Sequence, residues 1–385
     1  MTAEPQSFVL TDARLVLADR IVERGWLAVA DGRIAELGEG HPPERGISLG
    51  GDTLIPGLVE LHTDHLEPHL QPRPKVFWNV GSAVLAYDAQ IATAGITTVY
   101  DCLRVGTDGD NPDPDLTPLF DTAAALRDLG AGGYLRAEHR MHLRCEVCSA
   151  NVITAAEQVL ARFPVGIMSL MDHTPGQRQF RDIEKLAIYY KGKLGYTDEQ
   201  LKTFFDNRLA LYERNSVAHH RRLVALAQSH GIALASHDDT TLEHVSASIA
   251  DGAVIAEFPT TVEAAAASHA AGIAVMMGGP NVVRGGSHSG NVAAEELARA
   301  GTLDILSSDY VPASLMLAAF ELPQRVPEIP LAGSIAMVTA APAKAVGLTD
   351  RGVLAVGTRA DLVHVHVEGS VPVVRVVWRE GRRVA

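Results

Sequence analysis

From residue 8 to about 50, apolar and polar residues alternate in short runs, FVLTDARLVLADRIVERGWLAVADGRIAELG, which is the period of half-buried β-strands. Asp31-Gly32 divides two of these runs and marks a hairpin turn. The far end has the same character, with Gly352 to Gly357, Ala360 to Val367 and Val373 to Gly381 short and rich in valine. A few such strands cannot bury a core alone, so the two ends are expected to pair into one β-sandwich domain, residues 1–54 with 346–385.

Between them, apolar β runs alternate with Ala-rich segments of helical length. The strands predicted are Leu54 to His62, Ile96 to Cys102, Tyr134 to Leu143, Val165 to Met171, Ile232 to Ser236, Ala253 to Phe258, Ile273 to Met277 and Leu303 to Ser307. The intervening stretches, such as Ser82 to Ala94 and Ala218 to His230, are amphipathic. That alternation predicts an α/β fold, a (β/α)8 TIM-like barrel over residues 55–345, with a doubly wound sheet as the lesser alternative. The stretch after the fourth strand, Thr174 to Asn215, is unusually long and holds Arg178, Arg181, Lys185, Lys191 and Lys193. Long loops on a scaffold tend to be functional, so a lid is expected there, against a solvated helical hairpin.

Composition narrows the function. With 33 Lys+Arg against 46 Asp+Glu the formal charge is −13, which argues against nucleic-acid or anionic-membrane surfaces as partners. At 47% hydrophobic and 21% charged the chain has ample core, and disorder is excluded. No apolar run approaches membrane-spanning length and the start lacks a signal-peptide pattern, so a cytoplasmic protein is expected. A monomer and a homo-oligomer both remain open. The three cysteines, Cys102, Cys145 and Cys148, make no disulfide framework, and the lone CxxC lacks a second half for zinc.

The chemistry lies at the strand ends. His62 and Asp64 stand two apart where an apolar strand finishes, so both side chains leave one face and can converge on a divalent cation. The third strand runs out into His139, His142, Arg144 and Glu146, the fourth into Asp172-His173, the fifth into His237-Asp238-Asp239 and the eighth into Ser308-Asp309. In a barrel all of these surround one mouth. A structural histidine is the ordinary explanation at any one of them, but five such endings together point to a metal site.

These segments resemble the amidohydrolase superfamily of metal-dependent barrel hydrolases, through PGLVELHTD (56–64), the β-domain from both ends and the closing GVLAVGTRADLV. The usual HxH of the first strand is His62-Thr-Asp64 here. HTDHLEPHLQPRPKVFW, RAEHRMHLRCEV, LMDHTPGQRQFRD, ASHDDTT and GGPNVVRGGSHSGN are similar to a branch of diphosphatases serving the carbon–phosphorus lyase pathway. That resemblance implies hydrolysis of alpha-D-ribose 1-methylphosphonate 5-triphosphate, a small-molecule ribose triphosphate substrate, to the 5-phosphate and pyrophosphate. It implies two divalent metal ions, zinc or manganese foremost, with His62 and Asp64 on one and His173 and His237 on the other. Glu146 would bridge them, with His142 the competing candidate, and Asp309 would be the catalytic acid/base.

A triphosphate needs local positive charge on so acidic a chain. Arg178, Arg181 and Arg284 suit phosphate oxygens through their planar forks, and the small polar run after Arg284, with His288, Ser289 and Asn291, suits a phosphate cradle. Two rival readings stand beside this one. An amidohydrolase cleaving a C–N bond would keep the metals without needing the arginines, and a metal-free barrel would serve as a scaffold subunit.

Overall fold

The computed structural model describes residues 7–42, 45–106, 111, 113–178, 186–187, 191, 195–287 and 290–385. Eight parallel strands, Leu58–Thr63, Ile96–Val105, Glu138–Glu146, Val165–Met171, Ala233–His237, Ile255–Glu257, Ala274–Gly278 and Ile305–Ser307, pair in sequence order. The first and last meet through a bridge between Thr63 and Asp309, which closes the barrel. Val99, Leu103, Leu143, Met168, Leu234 and Val275 face the surrounding helices in the largest core cluster. Alternate residues Val59, Leu61, Tyr100, Ile167, Ala235, Ile255, Met276 and Ile305 plug the barrel from within. Among the described residues, no helix is long and apolar enough to cross a membrane.

The expected strand from Leu54 to His62 is two strands. Thr53–Pro56 joins the terminal sheet and Leu58–Thr63 joins the barrel, with Gly57 between them. A Cβ at Gly57 would lie 2.2 Å from Thr97 Oγ1, so the crossing from one sheet to the other needs glycine there. The third strand starts at Glu138, later than predicted, because the Asp88 carboxylate takes the N–H groups of Arg136 and Ala137 at 2.8 and 3.0 Å and ties them to the helix Val80–Thr93.

Strands from both chain ends form the other sheet, in which Thr53–Pro56 pairs with Leu362–Glu368 and Phe8–Val16 pairs with Ile21–Ala30. It is one continuous hydrogen-bonded path that curls back on itself: the N–H of Ile34 donates to Thr358 O at 2.9 Å, and Phe8 stacks on Trp378. Leu10, Leu15, Leu27, Leu54, Leu362 and Trp378 fill the space enclosed. The late part of the insertion is no separate hairpin. A single helix, Asp198–His230, begins at a Thr197/Gln200 capping box and ends at Gly231, which takes a left-handed φ of 64°.

Candidate active site

Above the apolar plug the barrel wall turns polar. His62, Cys102, His142, Ser169, His237, Glu257 and Ser307 are all buried at this level. The strands set the level: Cys102 pairs with His142 across strands two and three, and His237 pairs with Glu257 across strands five and six. Strand one reaches it through an irregularity between Glu60 and Thr63. Three residues just past the ends of strands five, six and eight, Asp238, Phe258 and Asp309, have φ of 56°, 54° and 54°. Side chains rarely adopt that conformation, and its concentration on one rim marks a functional edge.

Among the described residues, donor atoms within 4.8 Å of one another form the groups His62/Asp64/Asp309, His173/His237/Asp238, His62/His237/Glu257 and His62/Cys102/His142. The rings of His62 and His237 stack at 5.7 Å, and that of His173 meets His237 edge-on at 5.7 Å. The four residues expected to hold two ions therefore lie around one space. Backbone bonds set part of this arrangement, since Asp309 N–H donates to His62 O at 3.1 Å and Asp64 N–H to Asp309 O at 2.9 Å.

Two glutamates orient the imidazoles. Glu257 accepts from His62 Nδ1 at 3.1 Å and from His237 Nδ1 at 2.9 Å. Glu146 accepts from His173 Nδ1 at 2.7 Å. Each contact assigns the proton to Nδ1 and leaves Nε2 as the ring nitrogen able to ligate a cation, the arrangement of carboxylate–histidine–metal triads. Glu146, expected as the bridge, belongs to none of the donor groups among the described residues. Its oxygens also take Arg208 at 2.9 Å and Arg104 at 3.3 Å. His142, the competing candidate, bonds Leu61 O through Nδ1 at 2.8 Å and Ser169 Oγ through Nε2 at 2.9 Å.

Charge is balanced locally. Burial opposes ionisation of Asp64, but Arg144, hydrogen-bonded to it, outweighs burial and holds the carboxyl down at about 2. Burial also opposes ionisation of Glu257, yet the surrounding imidazoles keep it well below the usual carboxylate range. Burial lowers His142 to about 4, so it is a neutral imidazole. Glu60 beneath the site accepts the N–H of His62 and Ser308, and burial raises its carboxyl to about 7.

The expected phosphate ligands are only partly gathered. Arg178 Nη1 donates to His237 O and Asp239 Oδ1, each at 2.6 Å, so this arginine braces the fifth strand's loop. Arg284 ends the short helix Gly279–Arg284 and is exposed. Asn291 lies beyond it, half-buried. Arg181, His288 and Ser289, with Lys185 and Lys193, lie outside the described residues. Sequence reasoning placed Asp238 at the mouth without giving it a role, and missed Glu257, Arg104 and Arg208 as parts of the site. Glu257 carried the same signal as the others, an acid closing an apolar strand, whereas Arg208 lies mid-helix with no local mark.

The sequence profile of the amidohydrolase family matches residues 122–385. Over 379 residues, 98% of this chain and 100% of the relative, the sequence is 46% identical to alpha-D-ribose 1-methylphosphonate 5-triphosphate diphosphatase of Escherichia coli (strain K12). Among solved structures, N-acetyl-D-glucosamine-6-phosphate deacetylase from Mycobacterium smegmatis superposes with a TM-score of 0.64 at 19% identity, over 98% of this chain and 100% of that one. An amidohydrolase from an environmental sample of the Sargasso Sea gives a TM-score of 0.65 at 16% identity, over 99% and 93%. At such identities these two likenesses speak to the fold alone.

Proposed function

The chain belongs to the amidohydrolase family, and from that premise we propose that it hydrolyses alpha-D-ribose 1-methylphosphonate 5-triphosphate to the 5-phosphate and pyrophosphate. The observation that carries this reading is the full-length likeness to the Escherichia coli diphosphatase. The donor chemistry fits divalent cations. Asp238 Oδ2 is buried with no hydrogen-bond partner among the described residues, and it lies 3.5 Å from His237 Nε2. A desolvated carboxylate oxygen left so is costly unless a cation satisfies it.

His62 and Asp64 would hold one ion, with Asp309 beside them, and His173 and His237 a second, with Asp238 beside them. Such ions, zinc or manganese by donor type, lower the pKa of water and neutralise phosphoryl oxygens when bound. Asp309 accepts the proton of the attacking water and orients it toward the α-phosphorus. The bond broken joins that phosphorus to the bridging oxygen, which leaves with pyrophosphate.

Arginines supply the charge that makes pyrophosphate a competent leaving group. Arg104 and Arg144, at the ends of strands two and three, line the same rim as Asp64 and Glu146. Arg178 contributes from the strand-five side through the part of its guanidinium not engaged with Asp239. Arg181, Arg284, His288, Ser289 and Asn291 bind the remaining phosphate and phosphonate oxygens. Residues 1–54 and 346–385 act as a separate supporting domain beside the catalytic 55–345. The small-molecule substrate is the partner this reading requires, in the cytoplasm.

Phosphorus NMR of metal-reconstituted protein with a ribose 5-triphosphate in oxygen-18 water tests the reading. Pyrophosphate together with a 5-phosphate carrying the label is expected. Release of orthophosphate alone, or no turnover while an N-acetyl or cyclic-amide substrate is cleaved, would overturn it.

A further inference from the structure

Cys102 and His142 have no part in the reaction just described, yet they stand at the level of its donors. They are register partners on adjacent parallel strands, so both side chains enter the barrel side by side. Cys102 Sγ lies 3.6 Å from His142 Nδ1. With His62 from the first strand, one donor atom from each residue falls within 4.8 Å of the others. All three are buried, His142 at 0%, His62 at 1% and Cys102 at 6% exposure. His142 Nδ1 also lies 2.8 Å from Leu61 O, and its Nε2 lies 2.9 Å from Ser169 Oγ and 3.6 Å from Glu257 Oε1, so a cation shared with Cys102 would displace one of these ring contacts.

We propose that His62, Cys102 and His142 form a further cation position beneath the pair used in hydrolysis, one that takes a thiophilic divalent ion such as zinc, cadmium or cobalt. It rests on the metal-loaded barrel proposed above and adds a soft ligand to it. Thiolate and imidazole select such ions, whereas the carboxylate-rich upper groups accept harder ones such as manganese. Binding exchanges the S–H bond for an S–metal bond and releases one proton to solvent, with no change in oxidation state. Because His62 belongs to both levels, an ion in the lower position competes with the upper one for that imidazole. Soft and hard metals then distribute differently within one barrel.

Cobalt(II) titration of the metal-free full-length chain reads the sulfur directly. A thiolate-to-cobalt charge-transfer band in the near ultraviolet is expected for the wild type and for Cys145→Ser and Cys148→Ser, and its loss is expected in Cys102→Ser. A wild type that binds cobalt without the band, or a Cys102→Ser protein that keeps it, overturns the proposal. Should Cys102→Ser fail to fold, cadmium-113 NMR of the wild type decides. A resonance in the range of sulfur-ligated cadmium supports the site, and nitrogen- and oxygen-ligated signals alone refute it. Pyrophosphate release by manganese-loaded wild type is scored separately, so the band can fail while hydrolysis stands, and the reverse.

Discussion

Replacing Glu257 with glutamine probes the one side chain that orients two proposed ligands at once. Its oxygens take His62 Nδ1 at 3.1 Å and His237 Nδ1 at 2.9 Å, and it is almost completely buried. Glutamine has nearly the same shape but only one acceptor oxygen, so one imidazole keeps its partner and the other faces an NH2 donor. That second ring must turn or give up its Nδ1 proton, and either change withdraws Nε2 from the metal. Loss of such an orienting carboxylate weakens metal binding by roughly 10- to 100-fold, or about 1.4–2.7 kcal/mol. Glu257→Leu removes both acceptors and should lose about the product of two such factors if the contacts are independent. Competition with a fluorescent chelator measures the affinity, and circular dichroism with thermal melting checks that the variants fold. A folded Glu257→Gln protein with wild-type affinity would refute the orienting role and with it the assignment of Nε2 as the donor on His62 and His237.

Asp309→Asn should keep its metal content by mass spectrometry while turnover falls about 10²- to 10⁴-fold, and near-native turnover would remove Asp309 from proton transfer. Glu138 meets Arg351 at 2.7 Å and Arg359 at 2.5 Å. Burial opposes its ionisation, but these arginines hold the carboxyl at about 2. A carboxyl depressed by folding stabilises above its ordinary pKa and loses that effect as pH falls through 4.5 toward 2. Glu138→Gln should therefore flatten this part of the acid unfolding curve, with about 2–3 kcal/mol lost near neutrality. His139 is raised to about 9, because Asp101 and Asp88 overcome the effect of burial. Its contribution is full below 6.5 and is lost as pH rises toward 9. His139→Gln should remove that alkaline slope from the melting temperature, and an unchanged slope would show that His139 is neutral.

The strand ends were legible because each breaks a rule at a fixed place: an imidazole or acid terminates a run otherwise chosen for burial. His62, Asp64, His173, His237 and Asp309 all carry that mark, and the barrel explains why marks far apart in the chain meet. Glu146 carried it too, but the mark does not say whether a carboxylate faces the cation or the back of a histidine. That choice depends on how deep the side chain starts and on what lies behind it, here Arg104 and Arg208. Arg208 illustrates the limit most plainly. It lies on a long polar helix whose pattern suggests solvent, yet it is fully buried against Glu146. Only the packing of that helix across the mouth makes an ion pair of it.

Closure of the barrel and assembly of the site share one stretch of backbone. Sheet pairing between strands one and eight is confined to the bridge at Thr63 and Asp309, and the flanking bonds join Asp309 to His62 and Asp64. Just below, the Glu60 carboxylate reaches from strand one to Ser308 N–H, immediately past strand eight. A parallel pair has no tight hairpin to set its register, and these two strands are the farthest apart in sequence of any neighbours in the barrel. The contacts that overcome the entropy of that closure are therefore the ones that place His62, Asp64 and Asp309 relative to one another. Asp309 keeps a left-handed backbone with φ of 54° because bonds on both of its sides hold it there. The side chain proposed as acid/base is thus aimed by the same hydrogen bonds that complete the fold, and looseness at the seam would appear in catalysis before it appeared in secondary structure.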